Sequence, residues 1–147
     1  METEKTKIVD GNVCGVMALI LDQHNNLLLL QRIDNKKWEP VKGGILEGEN
    51  DKEAAIREVK EETNLDVRPI RKVADEVSDE IITARGKIKI KGTIWVCEIV
   101  GKNQDVILAE EHSSYKWVSL DLVEKIKEDI YPPIANYMIQ KIKESLF

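Results

Sequence analysis

Cysteine, histidine and aromatic side chains are scarce in this chain, which has two Cys, two His and an aromatic share of 5%. Cys14 and Cys97 sit in separate apolar, strand-like runs, and no CxxC or Cys/His ligand spacing occurs. That argues against a zinc site and for two buried free thiols in a reducing cytoplasm. With one Phe beside three Trp and three Tyr, the core must be mostly aliphatic. Long hydrophobic runs are also missing. The longest, Val13 to Leu21, has nine residues, against about 20 needed to span a bilayer. The charged segment from Met1 to Lys7 has no hydrophobic region behind it that reads as a signal peptide. A soluble, cytoplasmic protein with no membrane partner is therefore expected. Basic excess is absent too: 22 Lys and Arg face 27 Asp and Glu, a net charge of −5. A nucleic-acid partner is not expected from that balance. A small anionic substrate remains compatible with it, because a bound cation reverses the local sign. No repeat, low-complexity tract or linker divides the chain, so residues 1–147 read as one domain.

What is present is the composition of a globular protein, 42% apolar and 33% charged. Val13 to Leu21 predicts a strand covered on both faces. Asp22 to Asn26 is a turn by composition, and Leu27 to Gln31 the returning strand of a hairpin. Arg32 to Gly48, with Pro40, Gly43, Gly44 and Gly48, reads as a loop. Asn50 followed by Glu53 is a capping-box-like start for a helix from Asp51 to Thr63, with Ala54, Ala55, Val59 and Ile56 as inward candidates. Further strands are expected over Val67 to Ser78, Ile81 to Lys91, Thr93 to Val100 and Tyr115 to Val118. Two closing helices are expected, Ser119 to Ile130 with Leu122, Val123 and Ile126 inward, and one after Pro132 and Pro133 carrying Ile134, Tyr137, Met138, Ile142 and Leu146. The pattern is α+β.

Within the first helix, Glu58, Glu61 and Glu62 stand at i, i+3 and i+4, so three carboxylates share one face. Their mutual repulsion makes sense if a divalent cation gathers them, since carboxylate oxygens suit Mg²⁺ or Mn²⁺. Taken alone, the triplet reads more readily as a solvated face laced with salt bridges, Glu53–Arg57 among them. The upstream spacing decides the matter. From Gly43, five residues lead to Glu49, seven more to Arg57, and then the chain reads Glu58-Val59-Lys60-Glu61-Glu62-Thr63-Asn64-Leu65. This resembles the Nudix box, G-x5-E-x7-R-E-u-x-E-E-x-G-u, with u aliphatic. Eight specified positions match across 23 residues. The departure is Asn64, where the family has Gly. That position ends the helix and is expected to take a left-handed conformation, which Asn tolerates better than other non-glycine residues.

The resemblance implies a Nudix fold, a mixed β-sheet sandwiched between helices. It implies hydrolysis of a diphosphate bond in a nucleoside diphosphate-linked compound, by water attack at phosphorus with Mg²⁺ or Mn²⁺. Carried over by position, Glu58, Glu61 and Glu62 become metal ligands, Glu61 the most central, with the Gly43 carbonyl adding another. Glu49 and Arg57 become an ion pair that orients them. Dimerisation is likewise an expectation of the resemblance. Outside the box, Glu111 precedes Trp117 by six residues, the spacing of a metal ligand or general base in several Nudix enzymes; an ordinary polar loop is the other reading. His112 reads as a substrate-side or exposed residue rather than a metal ligand.

The segments Trp38-Glu39-Pro40-Val41-Lys42-Gly43 and Glu111-His112-Ser113-Ser114-Tyr115-Lys116-Trp117 are similar to loops of diadenosine tetraphosphate hydrolases, W-x-P-x-K-G and E-H-x-x-Y-x-W. Those enzymes normally carry His after K-G, where this chain has Gly44. Trp38 through Glu49 also resembles a loop of deoxynucleoside and dihydroneopterin triphosphate pyrophosphatases. Lys42 is a candidate for phosphate and Tyr115 for a stacked base, with a solvated lysine and a strand aromatic as the plainer readings; Trp117 reads as core. Arg85, Lys87, Lys89 and Lys91 alternate with apolar residues and Gly86. They fit an edge strand guarded by charge, or else a basic surface for a long polyphosphate or an RNA 5′ end. The alternatives to a small-nucleotide hydrolase are therefore an RNA 5′ pyrophosphohydrolase and a Nudix module that binds a nucleotide without cleaving it. The box carboxylates are all retained, which favours catalysis. An EF-hand is excluded, because no D-x-[DN]-x-[DN]-G loop occurs.

Overall fold

The apolar run near the start of the chain forms the strand at the middle of the sheet. The computed structural model describes residues 5–83, 86–102, 105–130, 140, 141 and 144. In chain order the elements are β1 (Ile8–Val9), β2 (Asn12–Leu21), β3 (Asn26–Arg32), β4 (Trp38–Glu39), β5 (Val41–Gly44), α1 (Asp51–Thr63), β6 (Val67–Thr83), β7 (Gly86–Ile99) and β8 (His112–Ser119). Strands β4, β3, β2, β7 and β6 follow one another across the sheet; β1 and β5 also pair with β2, and β8 with β3. The β2–β7 ladder is parallel and the other pairings are antiparallel, so the sheet is mixed.

Both faces of this sheet are covered, which is why β2 is apolar without alternation. Val16, Ala18 and Ile20 pack with Leu28 and Leu30 against Ala54, Ala55 and Val59 of α1. The intervening Met17 and Leu19 pack with Leu27 and Leu29 against Leu120, Val123 and Ile130. The period of two along each strand thus feeds two core layers.

Several sequence expectations are corrected here. The segment 32–48 is more than a loop: it contains β4 and β5, which are too short to carry a strand pattern and are set by pairing with β3 and β2. The three strands expected between residues 67 and 100 are two long ones, β6 ending at Thr83 and β7 beginning at Gly86 (φ 108°). Gly92 does not break a strand. It lies inside β7 opposite Gly15, where an added Cβ would come within 2.7 Å of the Gly15 carbonyl oxygen. The closing segment forms two 3-10 stretches, Leu120–Leu122 and Glu124–Asp129, in place of an α-helix. Leu120, Val123 and Ile126 recur every three residues, the 3-10 repeat; Val123 is buried, whereas Leu122 is 45% exposed. Ile56 is likewise exposed, one helical step off the Ala55–Val59 stripe. The helix expected after Pro132 and Pro133, with Ile134, Tyr137, Met138, Ile142 and Leu146, lies outside the described residues, as does Arg85. No helix among the described residues is long and apolar enough to cross a membrane.

The ends of α1 follow from its sequence. Asn50 accepts from the Glu53 backbone N–H and the Glu53 side chain accepts from the Asn50 N–H, a complete capping box. At the other end Asn64 adopts φ 66°, ψ 4°, and its N–H donates to the Lys60 carbonyl. Asn64→Ala is expected to cost about 1 kcal/mol of stability, and Asn64→Gly to stay within about 0.5 kcal/mol of the parent chain. Urea denaturation of the two variants checks this.

Candidate active site

Strand β5 carries the chain past β2, with Gly43 opposite Val16 and Gly44 opposite Gly15. The chain then turns through Gly48 (φ 84°) into the cap of α1. One side chain ties this turn to the helix. Arg57 donates from Nε to Glu49 Oε2 at 2.8 Å and from Nη2 to Glu49 Oε1 at 3.0 Å, a two-pronged pair. The same Nη2 donates to the Gly44 carbonyl at 2.7 Å, and Nη1 donates to Glu58 Oε1 at 2.9 Å and Glu61 Oε2 at 3.2 Å. Glu49 in turn accepts from the Leu46 backbone N–H at 3.0 Å. A lysine keeps the charge but not the fork. Arg57→Lys should therefore cost about 1–2 kcal/mol, with the charge term discounted because the pair is partly exposed; thermal unfolding without added cation measures it.

The carboxylates differ sharply in environment. Glu61 is the outermost, its side chain 57% exposed. Glu58 lies directly on the Gly43 backbone: a Cβ at residue 43 would come within 2.1 Å of the Glu58 Cδ. Burial raises the Glu58 carboxyl above its ordinary value despite the opposing pull of Arg57. Glu62 is buried, and its Oε2 has no hydrogen-bond partner. Burial, reinforced by the nearby charges of Glu58, Glu111 and Glu39, pushes Glu62 up to about 9.

At neutral pH Glu62 thus holds a proton in the cation-free protein, and a cation that binds it must displace that proton. Cation affinity is expected to rise with pH, by up to about tenfold per unit, until pH 9 is approached. The cation-free fold behaves oppositely. The Glu62 contribution to stability is full below the ordinary value of 4.5 and is lost as pH climbs towards about 9. Mn²⁺ titrations at several pH values test the first statement, and cation-free melts test the second.

Beyond the box, the sheet gathers residues from distant parts of the chain. Strand β3 pairs β4 on one side and β8 on the other, which brings Glu39 and His112 to the same place. His112, expected as a substrate-side or exposed residue, is buried, which removes the exposed reading, and its Nε2 lies 2.9 Å from Glu39 Oε2. The other Glu39 oxygen receives Arg32 Nη1 at 3.1 Å and lies 3.7 Å from Lys42 Nζ. Burial pushes the Glu39 carboxyl up, but His112, Lys42 and Arg32 together outweigh it and hold the group below its ordinary value. Glu111 is exposed beside this network. One ligand atom from each of Glu62, Glu111 and His112 lies within 4.8 Å of the others. Tyr115 stands on β8 with 43% exposure, opposite Leu30. Trp117 pairs with Leu28 and packs against the α1-facing core. Sequence reasoning missed Glu39 and Arg32. The one available signal was a charged residue between Trp38 and Pro40, just ahead of the glycine loop.

A NUDIX domain model matches residues 12–138. The chain is 28% identical over 145 residues to an RNA pyrophosphohydrolase of Pelagibacter ubique, covering 90% of this chain and 92% of that one. It is 35% identical over 95 residues to the asymmetrical bis(5′-nucleosyl)-tetraphosphatase of Mus musculus, a match spanning 64% of each chain. Among solved structures, the MutT protein of Methanosarcina mazei aligns with a TM-score of 0.73 at 25% identity over 94% of this chain and 98% of that one. An Ap4A hydrolase of C. elegans aligns with a TM-score of 0.66 at 25% identity, over 90% and 96%. The chain belongs to the Nudix family, as a hydrolase of diphosphate bonds.

Proposed function

We propose that this chain is a divalent-cation-dependent pyrophosphohydrolase of a small nucleotide, a dinucleoside polyphosphate or nucleoside triphosphate, working in the cytoplasm as one domain over residues 1–147. The observation that carries the cation is the buried, unpartnered Oε2 of Glu62 beside Glu58, itself seated on Gly43. An unpaired buried carboxyl oxygen is costly, and a hard cation that takes it as an oxygen ligand, displacing its proton, removes that cost. Glu58, Glu61, Glu62 and the Gly43 carbonyl supply an all-oxygen donor set that fits Mg²⁺ or Mn²⁺.

A divalent cation bound there supplies charge neutralisation for the phosphates and makes nearby water more acidic. The side chains do the rest. Arg57 holds the loop and the carboxylates in register through Glu49, Glu58 and Glu61. Glu111, exposed at the edge of the cluster, accepts the proton of the attacking water. The water oxygen bonds to phosphorus, the bridging P–O bond breaks, and the leaving phosphate departs in line. Lys42 meets a phosphate and Tyr115 offers a face to the base.

An RNA 5′ end is a second reading. It is supported by Lys87, Lys89 and Lys91 on one face of β7 and by the Pelagibacter relative, matched over nearly its whole length. The experiment is product analysis after incubation with Mg²⁺ of diadenosine tetraphosphate, nucleoside triphosphates, ADP-ribose and triphosphorylated RNA. EDTA-sensitive cleavage of a dinucleoside polyphosphate or triphosphate is expected. Cleavage of the RNA alone favours the second reading, and no cleavage of any member contradicts both.

A further inference from the structure

The His112 ring has one nitrogen engaged and the other idle. Its side chain is only 2% exposed; Nε2 lies 2.9 Å from Glu39 Oε2, and Nδ1 has no partner. Among the described residues, the buried side-chain atoms left without a partner are this Nδ1 and Glu62 Oε2. They belong to residues whose ligand atoms, with one from Glu111, fall within 4.8 Å of one another. Three ligands at about 2.0–2.2 Å from one ion stand roughly 3.3–3.8 Å from one another, so the cluster closes on an ion by drawing its members together by about 1 Å.

We propose that His112 is a nitrogen ligand which, together with Glu62 and one oxygen of Glu111 (the other being the one that takes the water's proton), forms a mixed nitrogen–oxygen cation position selective for borderline ions such as Mn²⁺, Co²⁺ or Zn²⁺ over Mg²⁺. The inference rests on the carboxylate cluster being a cation site and adds to it a donor outside the box. Glu39 is the reason the ring is suited to the task. A carboxylate that accepts one ring N–H fixes the tautomer, leaves the lone pair on the other nitrogen and raises its basicity, the usual arrangement behind a metal-bound histidine. Glu39 is itself held by Arg32 and Lys42 through its second oxygen. It therefore does not swing away to become a ligand in place of the ring. Imidazole favours borderline transition ions, whereas Mg²⁺ prefers oxygen alone. A purely structural His112–Glu39 pair would leave Nδ1 buried and unpaired for no return.

The chain has only two histidines, so the ring nitrogens are directly readable by ¹⁵N NMR, with His24 in an exposed turn as internal reference. Zn²⁺ added to the cation-free protein is expected to shift the His112 Nδ1 resonance away from its free lone-pair position while His24 stays in place; Mg²⁺ is expected to leave His112 unmoved. In calorimetry, His112→Gln should weaken Zn²⁺ and Mn²⁺ binding at least about tenfold and change Mg²⁺ binding by no more than about twofold. If that variant does not fold, the wild-type spectrum alone decides. Zn²⁺ saturating the protein with both His112 nitrogens unshifted overturns the proposal and leaves the carboxylate site standing. So does an equal loss of Zn²⁺ and Mg²⁺ affinity in His112→Gln. No saturable binding of any of these ions to the wild-type chain overturns the carboxylate site itself, and this proposal with it.

Discussion

Glu61→Gln is expected to lower kcat about 10²–10³-fold, the size of effect seen when one preorganised charge stabiliser is removed, while the fold stays intact. The expectation is sharp because the two consequences separate cleanly. The Glu61 side chain is 57% exposed, and it accepts a hydrogen bond from Arg57 at 3.2 Å, which keeps Glu49 and Glu58. Replacing one exposed carboxylate oxygen with an amide should therefore shift stability by no more than about 0.5 kcal/mol. In the proposed site, however, the loss of that charge removes a cation ligand on the solvent side of the cluster, where substrate phosphates arrive. Measuring kcat at two Mg²⁺ concentrations a factor of ten apart distinguishes weakened cation binding from lost catalysis. Activity equal to the wild type, with an unchanged melting temperature, would remove Glu61 from the site.

Gly43→Ala is expected to be nearly as damaging, for a reason that involves space and no change of charge. An alanine Cβ would come within 2.1 Å of the Glu58 Cδ. The carboxyl must move, and a displacement of about 1 Å in a catalytic constellation costs on the order of 10²-fold in rate. Backbone strain does not enter, because Gly43 lacks the positive φ that Gly48 has at 84°. Gly48→Ala is accordingly the control: nothing lies within 4 Å of its added Cβ, so it should lose about 1–2 kcal/mol of stability to the left-handed backbone and keep its Mn²⁺ affinity. If both variants lost cation affinity equally, crowding of Glu58 would not be the cause.

These two glycines illustrate what the sequence does and does not disclose. The span and both ends of α1 were legible, though Ile56, an inward candidate, is exposed. Asn50 and Glu53 form the expected capping box, the helix spans Asp51–Thr63, and Asn64 takes the left-handed conformation that its place in the box implies. Such features depend on neighbours within four residues, and sequence reports neighbours directly. Periodicity misled where two periods compete. Leu122, Val123 and Ile126 were expected on the inner face of an α-helix, but the chain adopts the 3-10 form, whose spacing of three buries Leu120 and Val123 and leaves Leu122 exposed. Gly92, the residue left between two of the expected strands, is a point of close approach to Gly15 on a parallel strand. The Glu39–His112 pair was beyond reach for a plainer reason. Its members are 73 residues apart, and only the insertion of β3 between β4 and β8 brings them together. Long-range pairing of this kind leaves no pattern in either segment, so a buried histidine read as a substrate-side or exposed one.

The most direct test of the site as a whole is hydrolysis of diadenosine tetraphosphate in ¹⁸O-labelled water, with the products read by mass spectrometry for the wild-type chain and Glu61→Gln. Water attack at phosphorus predicts one ¹⁸O in a phosphate of one product, abolished by EDTA and reduced in Glu61→Gln by the same 10²–10³-fold expected for kcat. Labelled product that survives EDTA, or that forms at the wild-type rate without the Glu61 carboxylate, would contradict a cation-dependent hydrolase built on these glutamates.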